Sequence, residues 1–141
     1  MTFLLDTNVV SEWTRPRPDP GVVAWLADID EDRVFLSVIT LAELRSGIAR
    51  LAAGRRREQL DEWLSHDLSA RFEGRILAID ATVADQWGRI TATAQATGLS
   101  IHAMDAFLAA TADVHGLTLV TRDVSDFEGA ATPVLCPWSG E

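Results

Sequence analysis

The sequence predicts an α/β domain with a central, mostly parallel sheet of about five strands. Its 141 residues fit one domain, and the 48% apolar and 23% charged content is ordinary for a globular protein. Short runs of Val, Leu and Ile alternate with amphipathic helical patterns, as in sheets covered by helices on both faces. Because crossovers between parallel strands are right-handed, the carboxyl ends of the strands meet at one edge, where we expect the functional site.

Five short apolar runs predict the strands. They lie at residues 3–5, 34–38, 75–79, 117–120 and 132–136. Between them, apolar side chains at helical spacing predict helices from residue 9, over 22–26, after Thr40, and over 60–68, 80–95 and 101–115. Thr40 is expected to cap its helix, since Glu43 follows at the spacing of a capping box. Gly98 and Gly116 are expected to end the two long helices.

The charge balance restricts the partners that the protein can have. The formal net charge is −9, which makes the surface a poor non-specific binder of nucleic acid. A phosphate partner would need a local arginine patch or a bound cation. Cys136 is the single cysteine, so no intramolecular disulfide forms and a reducing compartment fits. With no signal-peptide pattern at Met1 and no apolar run long enough for a membrane span, we expect a cytoplasmic protein without membrane contact.

Four acidic residues occupy positions that predict a metal site. Asp6 and Asp123 follow predicted strands, Glu43 lies in the first turn of an apolar helix, and Asp105 lies within a run of small and apolar residues. Partly buried carboxylates are costly unless they are paired or bind a cation. The chain contains no lysine, and sites with only oxygen ligands favour Mg²⁺ or Mn²⁺. The four acids together therefore favour metal-dependent phosphoryl chemistry.

Each acid alone also has a purely structural interpretation. Asp6 could cap the turn after the first strand, and Glu43 could be only the capping-box partner of Thr40. Asp105 could begin a helix or pair with an arginine. Asp123 and Asp126 could be turn residues. It is the combination of four acids, rather than any single one, that favours the metal site.

Four segments carry a resemblance to a known family. They are residues 4–12, 37–47, 104–112 and 121–127, which contain Asp6, Glu43, Asp105 and Asp123 respectively, and Pro137-Trp138 resembles a closing motif. In this order and spacing, the chain resembles the PIN-domain ribonucleases, in the branch of VapC-type and FitB-like toxins of prokaryotic toxin–antitoxin pairs. The resemblance implies a three-layer α/β/α fold, with residues 1–141 forming a single PIN domain.

The resemblance also implies an activity and a set of site residues. The activity is that of a Mg²⁺- or Mn²⁺-dependent endoribonuclease with Asp6, Glu43, Asp105 and Asp123 as catalytic acids. Asp6, Asp105 and Asp123 would hold the ion, directly or through water. Glu43 would orient or deprotonate the attacking water, leaving a 5′-phosphate and a 3′-hydroxyl. The supporting residues would be Thr7, Asn8 and Thr121, with Asp126 as an outer acid.

The implied partners are RNA and a cognate antitoxin, often with an arginine that reaches the carboxylates, in a homodimer and a toxin–antitoxin hetero-oligomer. Arg45 and Arg122 are candidates for RNA contacts. Residues 55–57, three arginines, could supply part of a positive rim for RNA, but are interpreted as a solvated helix end that favours the helix dipole. His66 and His102 have no assigned role. Exposed Trp25, Trp63 or Leu64 could form the homodimer interface.

Two alternative functions remain at this point. One is a PIN-fold regulatory or scaffold subunit that binds an antitoxin without cleaving RNA. The other is a phosphohydrolase with Asp6 as nucleophile, against which Asn8 and the absence of lysine both count. The motifs do not distinguish transfer, ribosomal and messenger RNA as the substrate.

Overall fold

The protein folds around one five-stranded parallel sheet with the strand order β3-β2-β1-β4-β5. The computed structural model describes residues 1–139, so the last two residues of the predicted domain 1–141 lie outside the described residues. The strands are β1 (Phe3–Leu5), β2 (Val34–Ser37), β3 (Ile76–Leu77), β4 (Thr118–Val120) and β5 (Val134–Leu135). All four pairings are parallel, which confirms the predicted fold class.

Helices cover both faces of the sheet. They are α1 (Thr7–Ser11), α2 (Pro20–Asp28), α3 (Val38–Ala49), α4 (Arg55–Glu62), α5 (Ser69–Arg71), α6 (Ala81–Ala96) and α7 (Ala103–His115), and a π-helical stretch, Trp63–Leu68, joins α4 to α5. Successive strand residues point to opposite faces of a sheet. Phe3 and Leu5 accordingly enter a core formed with α1–α4 and the π-helical stretch, whereas Leu4 enters a second core formed with α6 and α7. The two cores produce three layers.

The third helix begins earlier than the sequence predicts. Ser37, rather than Thr40, is its N-cap, because the Ser37 hydroxyl accepts a hydrogen bond of 3.0 Å from the backbone N–H of Ile39. Thr40 is buried one turn inside the helix, and its hydroxyl donates to the carbonyl oxygen of Leu5. The expected capping box of Thr40 and Glu43 is therefore wrong, and Glu43 is not engaged in capping.

The three consecutive arginines also lie at a different end of a helix from the one predicted. Residues 55–57 form the first turn of α4, with Gly54 as the N-cap, and do not end the preceding helix. Cations at a helix N-terminus face the positive end of the helix dipole. The interpretation that these arginines favour the dipole is therefore wrong.

Several other element ends differ from the prediction. The sheet-edge strands β3 and β5 contain two residues each instead of five, because each has a neighbour on one side only. The last long helix begins at Ala103 and is capped by His102. Leu64 is buried in the core, which removes it as a candidate for the homodimer interface, and Trp25 packs edge-on against Phe3 with ring centroids 5.0 Å apart. No helix within residues 1–139 is long and apolar enough to cross a membrane.

The C-terminal segment is held against the start of α2. The Asp19 carboxylate caps α2 by accepting from the backbone N–H of Val22, and it also accepts from the backbone N–H and hydroxyl of Ser139. These hydrogen bonds lower the pKa of Asp19. Gly21 lies under this segment, and a Cβ there would come within 2.5 Å of the carbonyl oxygen of Pro137. The close approach requires glycine at position 21.

Candidate active site

The candidate site lies at the carboxyl ends of the two central strands, β1 and β4. The chain order reverses between these neighbours, since β2 and β3 lie on one side of β1, and β4 and β5 lie on the other. In open parallel sheets, ligands bind at such a reversal point. Asp6 directly follows β1 and Thr121 directly follows β4, so both reach this point.

Asp6 is fixed in the centre of the site by two short hydrogen bonds. Its Oδ1 accepts from the backbone N–H of Thr7 at 2.7 Å, which also caps α1, and its Oδ2 accepts from the Thr121 hydroxyl at 2.7 Å. Only 8% of Asp6 is exposed. Burial raises the pKa of Asp6, the two hydrogen bonds oppose that rise, and the neighbouring charges of Glu43 and Asp123 add to it.

Asn8 and Thr121 connect Asp6 to Asp123. The Asn8 amide donates to Asp123 Oδ2 at 3.2 Å and to the Thr121 hydroxyl at 3.4 Å, and its carbonyl oxygen accepts from the backbone N–H of Arg122. The Thr121 hydroxyl also accepts from the backbone N–H of Asp123. One buried hydroxyl thus orients groups that belong to β1, α1 and the loop after β4.

Glu43 enters the site from α3. Its Oε1 accepts a hydrogen bond of 2.7 Å from the Thr7 hydroxyl, which follows Asp6 directly in the chain. Within residues 1–139, Oε2 of Glu43 has no hydrogen-bond partner. The half-buried Glu43 is therefore positioned through one oxygen, and the other oxygen can accept a proton or bind water.

Asp105 faces the other acids from the first turn of α7. Burial, together with the charges of Asp6 and Asp126, raises its pKa to about 6. His102 acts in the opposite direction. Asp126 lies in the 3-10 turn Val124–Phe127 and, together with Asp105 and His102, lines a polar cavity of about 590 Å³. Asp105 is thus close enough to Asp6 for their charges to interact.

The donor set fits a hard cation. Asp6, Glu43, Asp105 and Asp123 offer only oxygen ligands, and none of them forms an ion pair within the described chain. No three acidic, histidine or cysteine side chains among residues 1–139 are arranged to enclose one ion. Mg²⁺ commonly takes one or two carboxylates and fills its remaining positions with water and substrate phosphate. The arrangement of the four carboxylates matches this mode of binding, in which the protein supplies only a few of the ligands.

The two candidate RNA-contacting arginines lie outside this cluster. Arg45 is two positions beyond Glu43 on the same helix and points elsewhere, donating to Asp61 at 2.7 Å and to Ser65. Arg122 follows Thr121 and stacks over the ring of Trp138. The residue that sequence reasoning missed is Arg50, which lines a depression together with Glu43. Arg50 follows Glu43 by seven positions, a spacing that places both on one helix face and from which Arg50 could have been identified.

The two histidines without a predicted role have structural ones. His102 caps α7, with its Nδ1 accepting from the backbone N–H of Met104. His66 is exposed and lies 3.1 Å from Glu62, one turn earlier in the chain. Neither histidine adds a ligand to the carboxylate cluster.

Known proteins share this sequence and this fold. The PIN domain family model matches residues 3–131. Toxin FitB of Neisseria gonorrhoeae is 45% identical over 136 residues, covering 96% of this chain and 98% of that protein. VapC ribonuclease Y4jK of Sinorhizobium fredii is 38% identical over 136 residues, covering 96% and 97%. The crystal structure of FitAcB from Neisseria gonorrhoeae superposes with a TM-score of 0.93 at 44% identity, over 98% of this chain and 99% of that one. The chain belongs to the PIN domain family.

Proposed function

We propose that the protein is a metal-dependent endoribonuclease that acts as the toxin of a toxin–antitoxin pair. The observation that carries the proposal is the convergence of Asp6, Glu43, Asp105 and Asp123, from four separate segments, into a cluster in which none of the four forms an ion pair within the described chain. The toxin and ribonuclease names of the relatives support the same activity. The function is therefore hydrolysis of RNA phosphodiester bonds.

The cation proposed for this cluster is Mg²⁺ or Mn²⁺. Asp6, Asp105 and Asp123 are the residues that would hold it, directly or through water. When bound, such an ion polarises the phosphate and lowers the pKa of a coordinated water. It would also relieve the mutual repulsion that raises the pKa values of Asp6 and Asp105.

The side chains of this protein orient the reacting groups. Thr7 holds Oε1 of Glu43, so Oε2 can accept a proton from the attacking water. Attack in line with the leaving O3′ forms the new bond from the water oxygen to phosphorus and breaks the P–O3′ bond. The released O3′ takes a proton from solvent water, which leaves a 5′-phosphate and a 3′-hydroxyl. The Thr121 hydroxyl keeps Asp6 aligned, and Asn8 keeps Asp123 aligned. Asp126 lies farther out and adds negative charge near Asp105.

An antitoxin is the proposed protein partner. Solved neighbours of this fold are complexes, among them FitAB bound to a DNA fragment, with a TM-score of 0.93 and 42% identity. A guanidinium fits the carboxylate cluster because arginine pairs with carboxylates through two parallel hydrogen bonds. We propose a homodimer of this chain within a toxin–antitoxin hetero-oligomer, in which an antitoxin arginine occupies the cation position.

Cleavage by the purified protein, free of antitoxin, tests this function. RNA is incubated with Mg²⁺, Mn²⁺ or EDTA, with wild type, Asp6→Asn and the control Asp67→Asn, which removes an exposed acid from the π-helical stretch. We expect metal-dependent cuts with 5′-phosphate ends in the wild type and the control, and none in Asp6→Asn. Cuts that persist in EDTA or in Asp6→Asn would contradict the proposed site.

The scaffold alternative predicts a different result. A non-catalytic subunit would bind its antitoxin and leave growth unaffected when expressed alone. We expect wild type to arrest growth and Asp105→Asn to lose both arrest and cleavage. Growth arrest that survives in Asp105→Asn would refute the catalytic role. End sequencing of RNA from expressing cells identifies the target.

A further inference from the structure

A continuous basic segment stands out in this acidic protein. Residues 44–57 contain no acid and carry five of the twelve basic residues of a chain whose net charge is −9. The five are Arg45, Arg50, Arg55, Arg56 and Arg57. The structure places them at the end of α3 and the start of α4, the two helices on either side of a short connection.

The fold itself gains little from these charges. Arg55, Arg56 and Arg57 occupy the first turn of α4, where cations oppose the helix dipole. Of the five arginines, only Arg45 forms an ion pair within residues 1–139, with Asp61. Arg57 is half-buried and lines a cavity with Glu58 and Asp61, so its charge is partly compensated within the chain. Arg55 and Arg56 form an exposed arginine ridge without an ion pair within residues 1–139, and cations in this unfavourable helical position indicate an anion that comes from outside the chain.

A groove runs from the carboxylate cluster toward Arg56, which contacts the groove lining at Thr14, whereas Arg45 and Arg57 line a separate cavity. The groove, of about 260 Å³, begins at Thr7 and Glu43 and runs between α1 and α3 to Thr14 and Leu51. At that far end, the Arg56 guanidinium donates to the carbonyl oxygen of Thr14 at 2.8 Å. The basic ridge is thereby attached to the end of the groove that is remote from the acids.

Gly47 keeps the middle of this groove open. It lies inside α3, where glycine is less favourable than other residues, and a Cβ built on it meets nothing within 4 Å. No contact within the described chain therefore requires glycine at this position. An occupant that passes close to α3 would require it.

We infer that this groove and the arginine ridge bind the RNA strand on one side of the scissile phosphate. The inference rests on the proposed ribonuclease function and names where its substrate lies. Arg55 and Arg56 contact phosphates, while the groove, with hydroxyl groups on the α1 wall and apolar side chains on the α3 wall, takes riboses and bases. A polyanion continuous with the reacting phosphate would reach both the ridge and Glu43 along this groove.

The salt dependence of RNA binding tests the ridge. Binding of a short fluorescein-labelled RNA of mixed sequence is measured in Mg²⁺ against salt concentration, in an Asp105→Asn background that prevents cleavage. Each phosphate contact to a single strand contributes about 0.7 to the slope of log K against log salt. We expect Arg55→Gln with Arg56→Gln to lower the slope by about 1.4. The matched control is Arg89→Gln on α6, whose exposed side chain pairs with Asp85, and it should leave the slope unchanged.

A second variant tests the groove independently of charge. Gly47→Gln fills the groove with a good helix former, so we expect RNA affinity to fall several-fold while the urea midpoint stays equal or rises. Equal salt slopes for the Arg55/Arg56 and Arg89 variants, or unchanged affinity in Gly47→Gln, would refute the inference. The inference would also be refuted by variants that weaken binding of a purified antitoxin and leave RNA binding unchanged, because this surface would then be the binding site of the antitoxin.

Different results would refute the proposed ribonuclease function and the proposed RNA-binding groove. If wild type binds RNA with the expected slope but makes no cut under any metal, the nuclease is refuted and the binding groove is supported. If wild type cuts RNA while all salt slopes are equal, the groove is refuted and the nuclease stands.

Discussion

Asp105 is expected to lower the stability of the metal-free protein at neutral pH, so that Asp105→Asn stabilises the fold while it abolishes cleavage. Burial together with the charges of Asp6 and Asp126 raises the pKa of Asp105 from 3.8 to about 6. Asparagine has nearly the same shape and carries no charge. The substitution therefore removes the repulsion and leaves the packing of α7 in place.

The rise in the pKa of Asp105 sets the size of the stability change expected for Asp105→Asn. A difference of roughly two pH units corresponds to about 3 kcal/mol between the two protonation states. Because Asp105 is only half-buried, solvent screening reduces the effect on stability to about 1 kcal/mol. With a urea m-value of about 2 kcal/mol per molar, the unfolding midpoint of Asp105→Asn should rise by about 0.5 M at pH 7.5.

The sign of the pH dependence follows from linkage. The folded state binds the Asp105 proton more tightly than the unfolded state does, so ionisation lowers stability as the pH rises from about 4 to about 6. The penalty is complete above that window and absent below it. Asp105→Asn should therefore exceed wild type at pH 7.5 and match it near pH 3.5.

Urea unfolding in EDTA, followed by the fluorescence of the five tryptophans, measures this difference. Asp67→Asn is the control, because it also removes one negative charge from a protein of net charge −9. A gain in Asp105→Asn that is no larger than in Asp67→Asn, or that is the same at both pH values, would refute the proposed repulsion.

Three further predictions concern other parts of the structure. Thr121→Val removes the hydroxyl that Asp6 and Asp123 share, so urea unfolding should show a loss of roughly 1–3 kcal/mol that Thr121→Ser largely avoids. Gly21→Ala places a Cβ 2.5 Å from the Pro137 carbonyl oxygen, and it should cost about 1–3 kcal/mol in the same assay. Mg²⁺ at about one hundred times its Kd should stabilise wild type by about 2.7 kcal/mol, and calorimetry should show little of this gain in Asp6→Asn.

The position of the acids could be predicted because it depends on topology. Asp6 follows a buried apolar run, and Asp123 follows another after two residues, so any parallel sheet brings them to one edge. The structure adds what topology cannot supply, namely which groups orient them. The link from Asp6 through Thr121 to Asn8 depends on hydroxyl and amide directions that no spacing encodes.

Helix ends were harder to predict for local reasons. Ser37 and Thr40 are both competent caps, and the choice depends on how far β2 continues, which is set by pairing of Ser37 with Leu77 across the sheet. The arginines at 55–57 follow a short Ala-Gly connection that could end one helix or precede another. The sequence did contain the information that Arg45 points away from the site. Arg45 comes two residues after Glu43, and two residues correspond to more than half a turn of an α-helix.

The reversal of chain order at β1 also affects when the site can exist during synthesis. Asp6 emerges first from the ribosome, but the hydroxyl that aligns it belongs to Thr121, 115 residues later. At about 5–20 residues per second, the delay is roughly 6–23 s. Until β4 has been made, β1 has an unpaired edge and the fourth acid is missing. A nascent or C-terminally truncated chain therefore has three of the acids but not the assembled cluster, and under the proposed function we expect its activity to begin only with the last part of translation.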